Sequence, residues 1–360
     1  MAPLRYGWTT GTCAAGASRA AFEALWTGAF PDPVPVLLPK GQRPEFALAM
    51  QERGDGFARA GIVKDAGDDP DVTHGALVVA TVRRGVAGSG IVFRAGEGVG
   101  TVTRPGLPLP PGEPAINPAP REMIRANIGE AAARLGVGAD AIVEIAIPGG
   151  EKIAQRTMNG RLGILGGLSI LGTTGIVVPY SCAAWVHSIH RGIDVARAAG
   201  LSHVAGATGA TSEDAVRKLH DLPEHALIDM GDFVGGMIKY LRGHPVARVS
   251  VAGGVAKMSK LAQGLLDLHS RRGEVDLGAL AQRVADAGGS AGLAARVGAA
   301  NSALHAFELA AVEGFDLPAL VAEAAWTSAA RAFRGAAVAL EVVVVARDGH
   351  VLATTGFLGV

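Results

Sequence analysis

The sequence predicts a mixed α/β protein in which an α+β domain is interrupted by an inserted α/β domain with a parallel sheet. Short strand-like runs fill the first part of the chain. After Gly200 a strand, a glycine loop and a helix alternate three times, a pattern typical of a parallel sheet covered by helices. The chain ends in a strand and an Asp348-Gly349 turn that resemble the first part. We therefore expect residues 1–165 and 336–360 to form the α+β domain and residues 166–335 the insertion.

The first part contains two predicted helices among its strands. An alanine-rich run predicts a helix over residues 12–25. Asn117 and Pro118 introduce a second helix, which has Ile124, Ile128 and Leu135 on one face. The predicted strands cover residues 34–38, 45–50, 57–64, 76–83, 91–93, 100–103 and 141–147.

In the second part, three strands are each followed by glycine and then by a helical stripe. These strands cover residues 201–205, 226–230 and 246–252. Residues 303–334 read as helical, and a β-branched run over 340–346 predicts one more strand.

Composition excludes several classes of protein. The 360 residues contain 33 Lys and Arg against 33 Asp and Glu, so the basic surplus of a nucleic-acid-binding protein is missing. Glycine numbers 51, about twice its ordinary share, without a collagen period. Two cysteines, Cys13 and Cys182, are too few for a disulfide framework or a four-cysteine zinc site. With no signal-peptide core at the start, we expect a cytoplasmic protein.

Residues 162–190 carry no formal charge and are long enough to cross a bilayer. Glycines and Pro179 interrupt this stretch repeatedly. We therefore expect buried strand and glycine loop here, and no membrane span.

The first candidate site lies at the start of the first helix. Thr10 and Thr12 place hydroxyl groups, and Cys13 a thiol, at a helix N-terminus, where free backbone N–H groups attract anions and lower the pKa of a thiol. We expect Thr10 and Thr12 to contact a ligand. The alternative is that Thr12 is only an N-cap and Cys13 a small packing residue.

The second candidate is an acidic loop over residues 64–71. Asp65, Asp68 and Asp69 follow a predicted strand, and such carboxylates serve as general bases or as ligands of Mg²⁺ or Ca²⁺. A solvated acidic turn is the alternative. The spacing is not that of an EF-hand, and the ten histidines show no metal-binding spacing, so we expect no protein-bound metal.

The third candidate comprises the loops after the three parallel strands. Ligands of open α/β sheets bind at the carboxyl ends of strands. Glycine lets a cofactor approach the backbone, and Asp229 or Asp232 could accept a hydrogen bond from a ribose hydroxyl. The predicted cofactor-binding residues are Gly206, Gly209, Glu213, Asp229, Gly231, Gly253 and Gly254.

Taken together, these and other motifs resemble the cobalt-precorrin-5B C1-methyltransferases of anaerobic cobalamin biosynthesis. The resemblance extends from about residue 4 to about residue 320. The motifs are YGWTTGTCAA (residues 6–15), KDAGDDPDVT (64–73), GEGVGTVTRPGL (96–107), GEPAINPAPR (112–121), RLGILGGLSILGTTGIV (161–177) and KMSKLAQG (257–264). This chain departs from the expected pattern at Gly160, Val178 and Ala256, where Pro, Glu and Gly are expected.

The resemblance implies methyl transfer from S-adenosylmethionine to C1 of cobalt-precorrin-5B, giving cobalt-precorrin-6A. It also implies an α+β domain interrupted by an α/β domain, unlike the usual tetrapyrrole methylase fold. Because the substrate carries many carboxylates, cationic side chains should line its site. The expected substrate-binding cations are Arg104, Arg121, Arg161, Lys257 and Lys260.

Lys257 and Lys260 stand near the start of a predicted helix whose apolar stripe includes Met258 and Leu261. We expect both lysines to face away from the core and to hold a substrate carboxylate. A general base is optional, because the π-system of the macrocycle can delocalise charge.

Two other functions stay open at this point. The glycine loops would suit an NAD(P)-dependent precorrin reductase, and the same chain could be a non-catalytic carrier of a corrinoid intermediate. Hand-over of the corrinoid to neighbouring enzymes of the pathway is a further expectation. The sequence predicts no oligomeric state.

Overall fold

The computed structural model describes residues 3–360, which form two compact units. The first unit ends at Ser181, and the second runs over Cys182–Val360. Both units mix helices and strands, so the predicted mixed class is confirmed. No helix among the described residues is long and apolar enough to cross a membrane.

The first unit is built around a five-stranded sheet in the order β4-β5-β6-β9-β7. Its neighbouring strands are antiparallel, except that β7 runs parallel to β9. The elements in chain order are β1 (Gly7–Trp8), α1 (Thr10–Thr27), β2 (Val34–Pro35), β3 (Glu45–Phe46), β4 (Met50–Gly54), β5 (Phe57–Val63), β6 (Leu77–Arg84), β7 (Ile91–Ala95), β8 (Thr101–Val102), α2 (Pro118–Leu135), β9 (Ala141–Ala146), α3 (Gly150–Ala154), β10 (Ile164–Leu165) and β11 (Ile176–Val177).

Helix α1 is buried along most of its length, which explains its alanine-rich composition. It packs on β5 and β6 and against α2, so small side chains are needed on several sides. The backbone approaches closely at Gly16, where a Cβ would lie 2.7 Å from Ile62 Cδ1. Thr9 caps the start of the helix by accepting a hydrogen bond from the Thr12 N–H. Gly28 ends it in the left-handed conformation.

Residues 164–177, which we name the tie segment, connect most parts of the first unit by backbone hydrogen bonds. Leu168 N–H donates to the Gly98 carbonyl at 2.8 Å, and Ile170 N–H donates to the Ala115 carbonyl at 2.8 Å. The two ends of the segment are the short strands β10 and β11, which pair with β8 and β1. The predicted strand and glycine loop are thus confirmed as far as residue 177.

Three glycines let backbone segments cross where the tie segment passes the loop after β7. A Cβ at Gly167 would overlap the backbone of Gly98, and a Cβ at Gly150 would overlap the Gly98 carbonyl. No other residue type fits such a crossing, because every other side chain begins with a Cβ.

The second unit is built around a six-stranded sheet. Its main order is β13-β12-β14-β15-β16, and β17 also pairs with β15. Strands β12, β13, β14 and β15 are parallel, and β16 and β17 are antiparallel to β15. The elements are α4 (Cys182–Ala198), β12 (His203–Ala207), α5 (Ala210–His220), β13 (Leu227–Asp229), α6 (Val234–Gly243), β14 (Arg248–Gly254), α7 (Val255–Ala262), α8 (Leu277–Asp286), α9 (Ala291–Gly298), α10 (Ala303–Val312), α11 (Leu317–Phe333), β15 (Ala339–Val345), β16 (Val351–Thr354) and β17 (Leu358–Gly359).

The two faces of this sheet are covered unequally. Val204 and Val249 point into a large core shared with helices α6, α7 and α11. Ala205 and Ala252 point to the other face, which is covered mainly by α5 through Val216. The parallel sheet covered by helices, predicted from the repeated strand–loop–helix pattern, is confirmed.

The predicted domain boundaries differ from the structure, and the prediction that residues 336–360 return to the first domain is wrong. Strand β15 pairs with β14 in register from Ala339 opposite Arg248 onward. Its apolar side chains are buried on both faces, with Leu340 in the larger core and Val343 in the smaller one. An almost continuous β-branched run is typical of a strand that is buried on both faces. The sequence of β15 itself therefore indicated a place in the parallel sheet.

The other boundary lies later than predicted, at residue 181 rather than 165. The tie segment belongs to the first unit because its hydrogen bonds are made there. Helix α4, which begins at Cys182, was not predicted, and the predicted helix over residues 303–334 is two helices separated at Gly314.

The glycine crossing gives a direct test of the fold. We expect Gly167→Ala to lower the free energy of unfolding by about 3 kcal/mol or more, because the added methyl group overlaps the Gly98 backbone. Gly160→Ala is the matched control, since a Cβ there meets nothing within 4 Å, and it should change stability by less than about 0.5 kcal/mol. Urea unfolding followed by circular dichroism measures both. Equal stability of the two variants would contradict the crossing.

Candidate functional site

The strand order of the second unit places a topological switch point at the carboxyl end of its sheet. Strand β12 is followed by α5 and then by β13 on one side, whereas β14 is followed by helices and then by β15 on the other side. The chain therefore turns in opposite directions after β12 and β14. Such a switch point is where open α/β sheets bind ligands.

Backbone hydrogen bonds hold the strand ends together at this edge. Thr208 N–H donates to the Ala252 carbonyl at 3.0 Å, and Gly231 N–H donates to the Ala207 carbonyl at 3.1 Å. The loops after β12, β13 and β14 are therefore neighbours, as the sequence predicts.

The predicted glycines of these loops differ in their surroundings. Gly209, before α5, is extended and exposed, and a Cβ there would meet nothing within 4 Å. Gly254 caps α7 and also has room. Gly206 is buried against Met237, and a Cβ at Gly253 would lie 2.6 Å from Met258 Cε. Open space for a ligand therefore lies at Gly209 and Gly254, while Gly206 and Gly253 serve packing.

Two of the predicted cofactor-binding residues are acidic: Glu213 on α5 and Asp229 on β13. Asp229 is the last residue of β13, the strand beside β12. It follows Gly209 by about 20 residues, the spacing at which dinucleotide-binding folds place an acid that binds a ribose hydroxyl. Glu213 lies in the first turn of α5 and is half-buried.

Sequence reasoning missed an aromatic residue at the same edge. Helix α4 carries Trp185, whose indole N–H donates to the Asp229 carbonyl at 3.0 Å. Gly231, in the left-handed conformation, lies against the indole ring, and Trp185 is 45% exposed. No local signal marked this residue, because α4 itself was not predicted.

The expectation that Lys257 and Lys260 face away from the core is wrong for Lys260. Lys260 is 7% exposed, and its ammonium donates to the Leu268 carbonyl at 3.3 Å. Lys257 forms an ion pair with Asp232 and also donates to the Leu268 carbonyl, at 3.2 Å. Helix α7 packs against α10 and α11, and these helices bury a second face that local periodicity cannot show.

In the first unit, the hydroxyl groups at the start of α1 bond to the tie segment. Thr12 Oγ1 donates to the Gly175 carbonyl at 2.6 Å, and Thr10 Oγ1 accepts from the Leu171 N–H at 3.0 Å. Both threonines are buried, at 0% and 2% exposure. The expectation that they contact a ligand is therefore not met, because the chain itself covers this helix end.

Cys13 is fully buried beside the same threonines. Burial raises the pKa of its thiol to about 12, against a smaller opposing effect of Lys64. The sequence predicted a lowered pKa here. The packing alternative describes the residue better, because desolvation outweighs the helix N-terminus.

The acidic loop makes contacts that hold the chain in place. Asp65 pairs with the Arg5 guanidinium, and this hydrogen bond, followed by one from Gly67 N–H, lowers the pKa of Asp65 to about 2. Asp68 accepts from the Arg5 N–H at 2.7 Å, and Asp69 accepts from the Tyr180 N–H at 2.8 Å. A carboxylate with so low a pKa is a weak base, so Asp65 is unsuited to general-base catalysis.

The three candidate arginines lie in different settings. Arg121 holds its own loop, donating to the Ile116 carbonyl and to Glu113, both at 2.8 Å. Arg104 is half-buried beside Gly163. Pairing of β8 with β10 brings the segments that contain Arg104 and Arg161 together. Arg121 therefore has a structural role, and anion binding by Arg104 and Arg161 stays a prediction.

Over residues 3–360, no group of three or more His, Cys, Asp or Glu side chains has the arrangement to hold a metal ion.

Comparison with known families places this chain clearly. The family model described as "CbiD" matches residues 1–179, and the model described as "CbiD, C-terminal domain" matches residues 267–356. The first match ends close to the end of the first unit. The second groups the last strands with the helices before them, in agreement with the pairing of β15.

Similar proteins cover nearly the whole chain. A protein of Agrobacterium fabrum named cobalt-precorrin-5B C(1)-methyltransferase is 65% identical over 96% of this chain and 91% of its own. One of the same name from Methylorubrum extorquens is 64% identical over 98% and 97%. A crystal structure of the cobalamin biosynthesis protein cbiD from Archaeoglobus fulgidus is 30% identical over 75% of this chain and 83% of its own, with a TM-score of 0.41.

The burial of Cys13 gives a chemical test. In the native protein we expect iodoacetamide to modify Cys182, which is exposed, and to leave Cys13 unmodified, because its thiol is buried and protonated. Mass spectrometry should find one modified thiol per native chain and two after denaturation. Cys182→Ser should then abolish native labelling. Fast labelling of Cys13 in the folded protein would contradict its burial and would indicate a reactive thiol.

Proposed function

The chain belongs to the CbiD family, and on this basis we propose that it transfers a methyl group from S-adenosylmethionine to C1 of cobalt-precorrin-5B, giving cobalt-precorrin-6A. The observation that carries the proposal is high identity, over nearly the whole chain, to proteins named for this activity. Two alternatives were left open by the sequence, a nicotinamide-dependent reductase and a corrinoid carrier. A single-turnover reaction with labelled donor separates all three.

The reaction depends mainly on the orientation of the methyl donor relative to C1 of the macrocycle. S-adenosylmethionine supplies an activated methyl group on a sulfonium. A carbon–carbon bond forms at C1 with an electron pair of the macrocycle, while the sulfur–methyl bond breaks and its electron pair stays on sulfur as S-adenosylhomocysteine. Holding the two reactants in line can lower the barrier by several kcal/mol, roughly 7 or more in favourable cases. The protein therefore needs two well-formed binding sites more than it needs a strong acid or base.

We assign the donor to the switch point at the carboxyl end of the parallel sheet. Open backbone at Gly209 and Gly254 lets the donor approach the strand ends. Asp229 is placed to accept from a ribose hydroxyl, as its position at the end of β13 supports. Glu213 and Gly231 border this space. Gly206 and Gly253 contribute by letting the strands and helices pack closely.

The substrate is rich in carboxylates, and cationic groups in each unit fit that chemistry. Arg104 and Arg161 are the proposed groups in the first unit. In the second unit, Lys257 and Lys260 share the Leu268 carbonyl, and among residues 3–360 Asp232 is the one carboxylate that pairs with either lysine. Two ammonium groups beside one paired carboxylate support the binding of an anionic group at Lys257, the more exposed of the two lysines.

For the acidic loop we propose a positioning role. Asp65, Asp68 and Asp69 hold the start of the chain and the turn at Tyr180 in place. No proton transfer by these residues is required, since the low pKa of Asp65 makes it a poor base and the macrocycle can delocalise charge.

The proposal carries three further expectations, about location, metal content and the fate of the product. The enzyme works in the cytoplasm, which its two free cysteines suit. It has no resident metal, and any cobalt belongs to the substrate. Its product is handed to a following enzyme of the same pathway.

A single-turnover reaction tests the activity. Enzyme in excess is mixed with cobalt-precorrin-5B and S-adenosylmethionine carrying a labelled methyl group, and the corrinoid is analysed by mass spectrometry and NMR. We expect one labelled methyl group at C1 and one S-adenosylhomocysteine per corrinoid. Reduction of the corrinoid with a nicotinamide cofactor would favour the reductase. Tight corrinoid binding without transfer of label would favour the carrier.

The donor site is tested by filling its open space. We expect Gly209→Val to raise the Kd for S-adenosylhomocysteine at least ten-fold, about 1.4 kcal/mol, because its side chain occupies the approach to the strand ends. The melting temperature should hardly change, since the backbone there is extended and unobstructed. Gly243→Val is the control, at an equally open position at the end of α6. Titration calorimetry measures both, and equal Kd values would contradict the assignment.

A further inference from the structure

Trp185 is held in a fixed position at the carboxyl end of the parallel sheet. Its indole N–H donates to the Asp229 carbonyl at 3.0 Å, so the only polar atom of the side chain is satisfied. Gly231 lies against the indole, and a Cβ added at Gly231 would be 3.2 Å from the ring. The Phe233 ring is tilted relative to the indole, and the two ring centres are 6.4 Å apart. These contacts fix both the place and the tilt of the ring.

The ring is nevertheless open to the surroundings. Trp185 is 45% exposed, while Trp326 of the same unit is half-buried and its indole N–H donates to a strand carbonyl. A large apolar side chain that served only for packing would gain more from full burial, by roughly 25 cal/mol for each Å² removed from water. An anchored yet exposed aromatic ring is a surface on which a flat ligand can stack.

The neighbourhood indicates which part of a ligand would reach it. The loop at Gly209, the adjacent strand β13 and an acid at its end reproduce the order in which nucleotide-binding folds bind a ribose. Trp185 is anchored to the backbone of that same acid, Asp229. The base of a nucleoside is joined directly to the ribose, so a ribose at Asp229 brings the base next to the indole.

We propose that Trp185 stacks on the adenine ring of the methyl donor and is the principal determinant of its recognition. The proposal rests on the proposed function, because it presumes an adenosyl ligand at this edge. Stacking suits adenine because its faces carry no charge and its ring matches the indole in size. Anchoring the indole beforehand reduces the ordering that binding requires. The Gly231 loop is a second requirement, since a side chain there would meet the ring.

Two substitutions separate stacking from structure. Trp185→Leu removes the aromatic face, and we expect the Kd for S-adenosylhomocysteine to rise about ten-fold or more, in line with the strength of base–aromatic stacking. Trp185→Phe keeps a ring that can stack and should recover most of this affinity. Corrinoid binding should stay within about two-fold of wild type, a change of about 0.4 kcal/mol. A merely structural tryptophan would affect both ligands and would not be rescued selectively.

Tryptophan fluorescence provides an independent readout. The chain has four tryptophans, and stacking on adenine should quench the exposed Trp185. We expect S-adenosylhomocysteine to quench the wild type and not Trp185→Phe. Trp26→Phe is the matched control, since Trp26 lies in the first unit beneath Arg84, and it should keep the ligand-induced quench.

The outcomes distinguish this inference from the function on which it rests. If wild type transfers the methyl group but Trp185→Leu binds S-adenosylhomocysteine as tightly as wild type, stacking is wrong and the methyltransferase stands. If the quench persists in Trp185→Phe, the adenine lies elsewhere. If wild type binds neither donor nor S-adenosylhomocysteine, the proposed function and this inference both fail.

Discussion

The close backbone contact between the tie segment and the loop after β7 is the constraint on which the first unit depends. At this contact Gly98 and Gly167 approach so closely that no Cβ fits. From there the tie segment continues to the threonines at the start of α1 and then to β1. The uncharged tie segment thus holds segments that are far apart in the chain by backbone hydrogen bonds. This explains why so glycine-rich a segment is rigidly bonded rather than a flexible loop.

In the second unit the order of the parallel strands has the corresponding role. Because β12 lies between β13 and β14, the chain leaves β12 and β14 in opposite directions, and such a switch point is where open α/β sheets bind ligands. Helices α10 and α11 pack against α7, and Lys260 on α7 is buried. Burying an ammonium group is costly unless it is paired. Lys260 donates to the Leu268 carbonyl, and its neighbour Lys257 pairs with Asp232.

The structure also divides the motif residues by what they do. Thr12 and Asp69 have the chemistry of ligand-binding groups, yet each bonds to a distant part of its own chain. Arg121 likewise holds the loop before α2. The groups left with room to meet a ligand are fewer, and they include Gly209, which lies at a strand end. Much of the motif pattern therefore specifies the fold that supports the sites.

The sequence alone determined the kind of most elements, the parallel sheet and the family, because periodicity, capping and long motifs are local properties. It also located the strand-end loops, since alternating strands and helices imply a parallel sheet. Tertiary structure decided the rest. The placement of β15 depends on pairing with a strand about 90 residues earlier, the burial of Lys260 depends on helices that follow it, and Trp185 meets Asp229 only through folding. Such contacts join distant residues, so neither composition nor spacing reveals which of two chemically similar groups faces a ligand and which is bound within the chain.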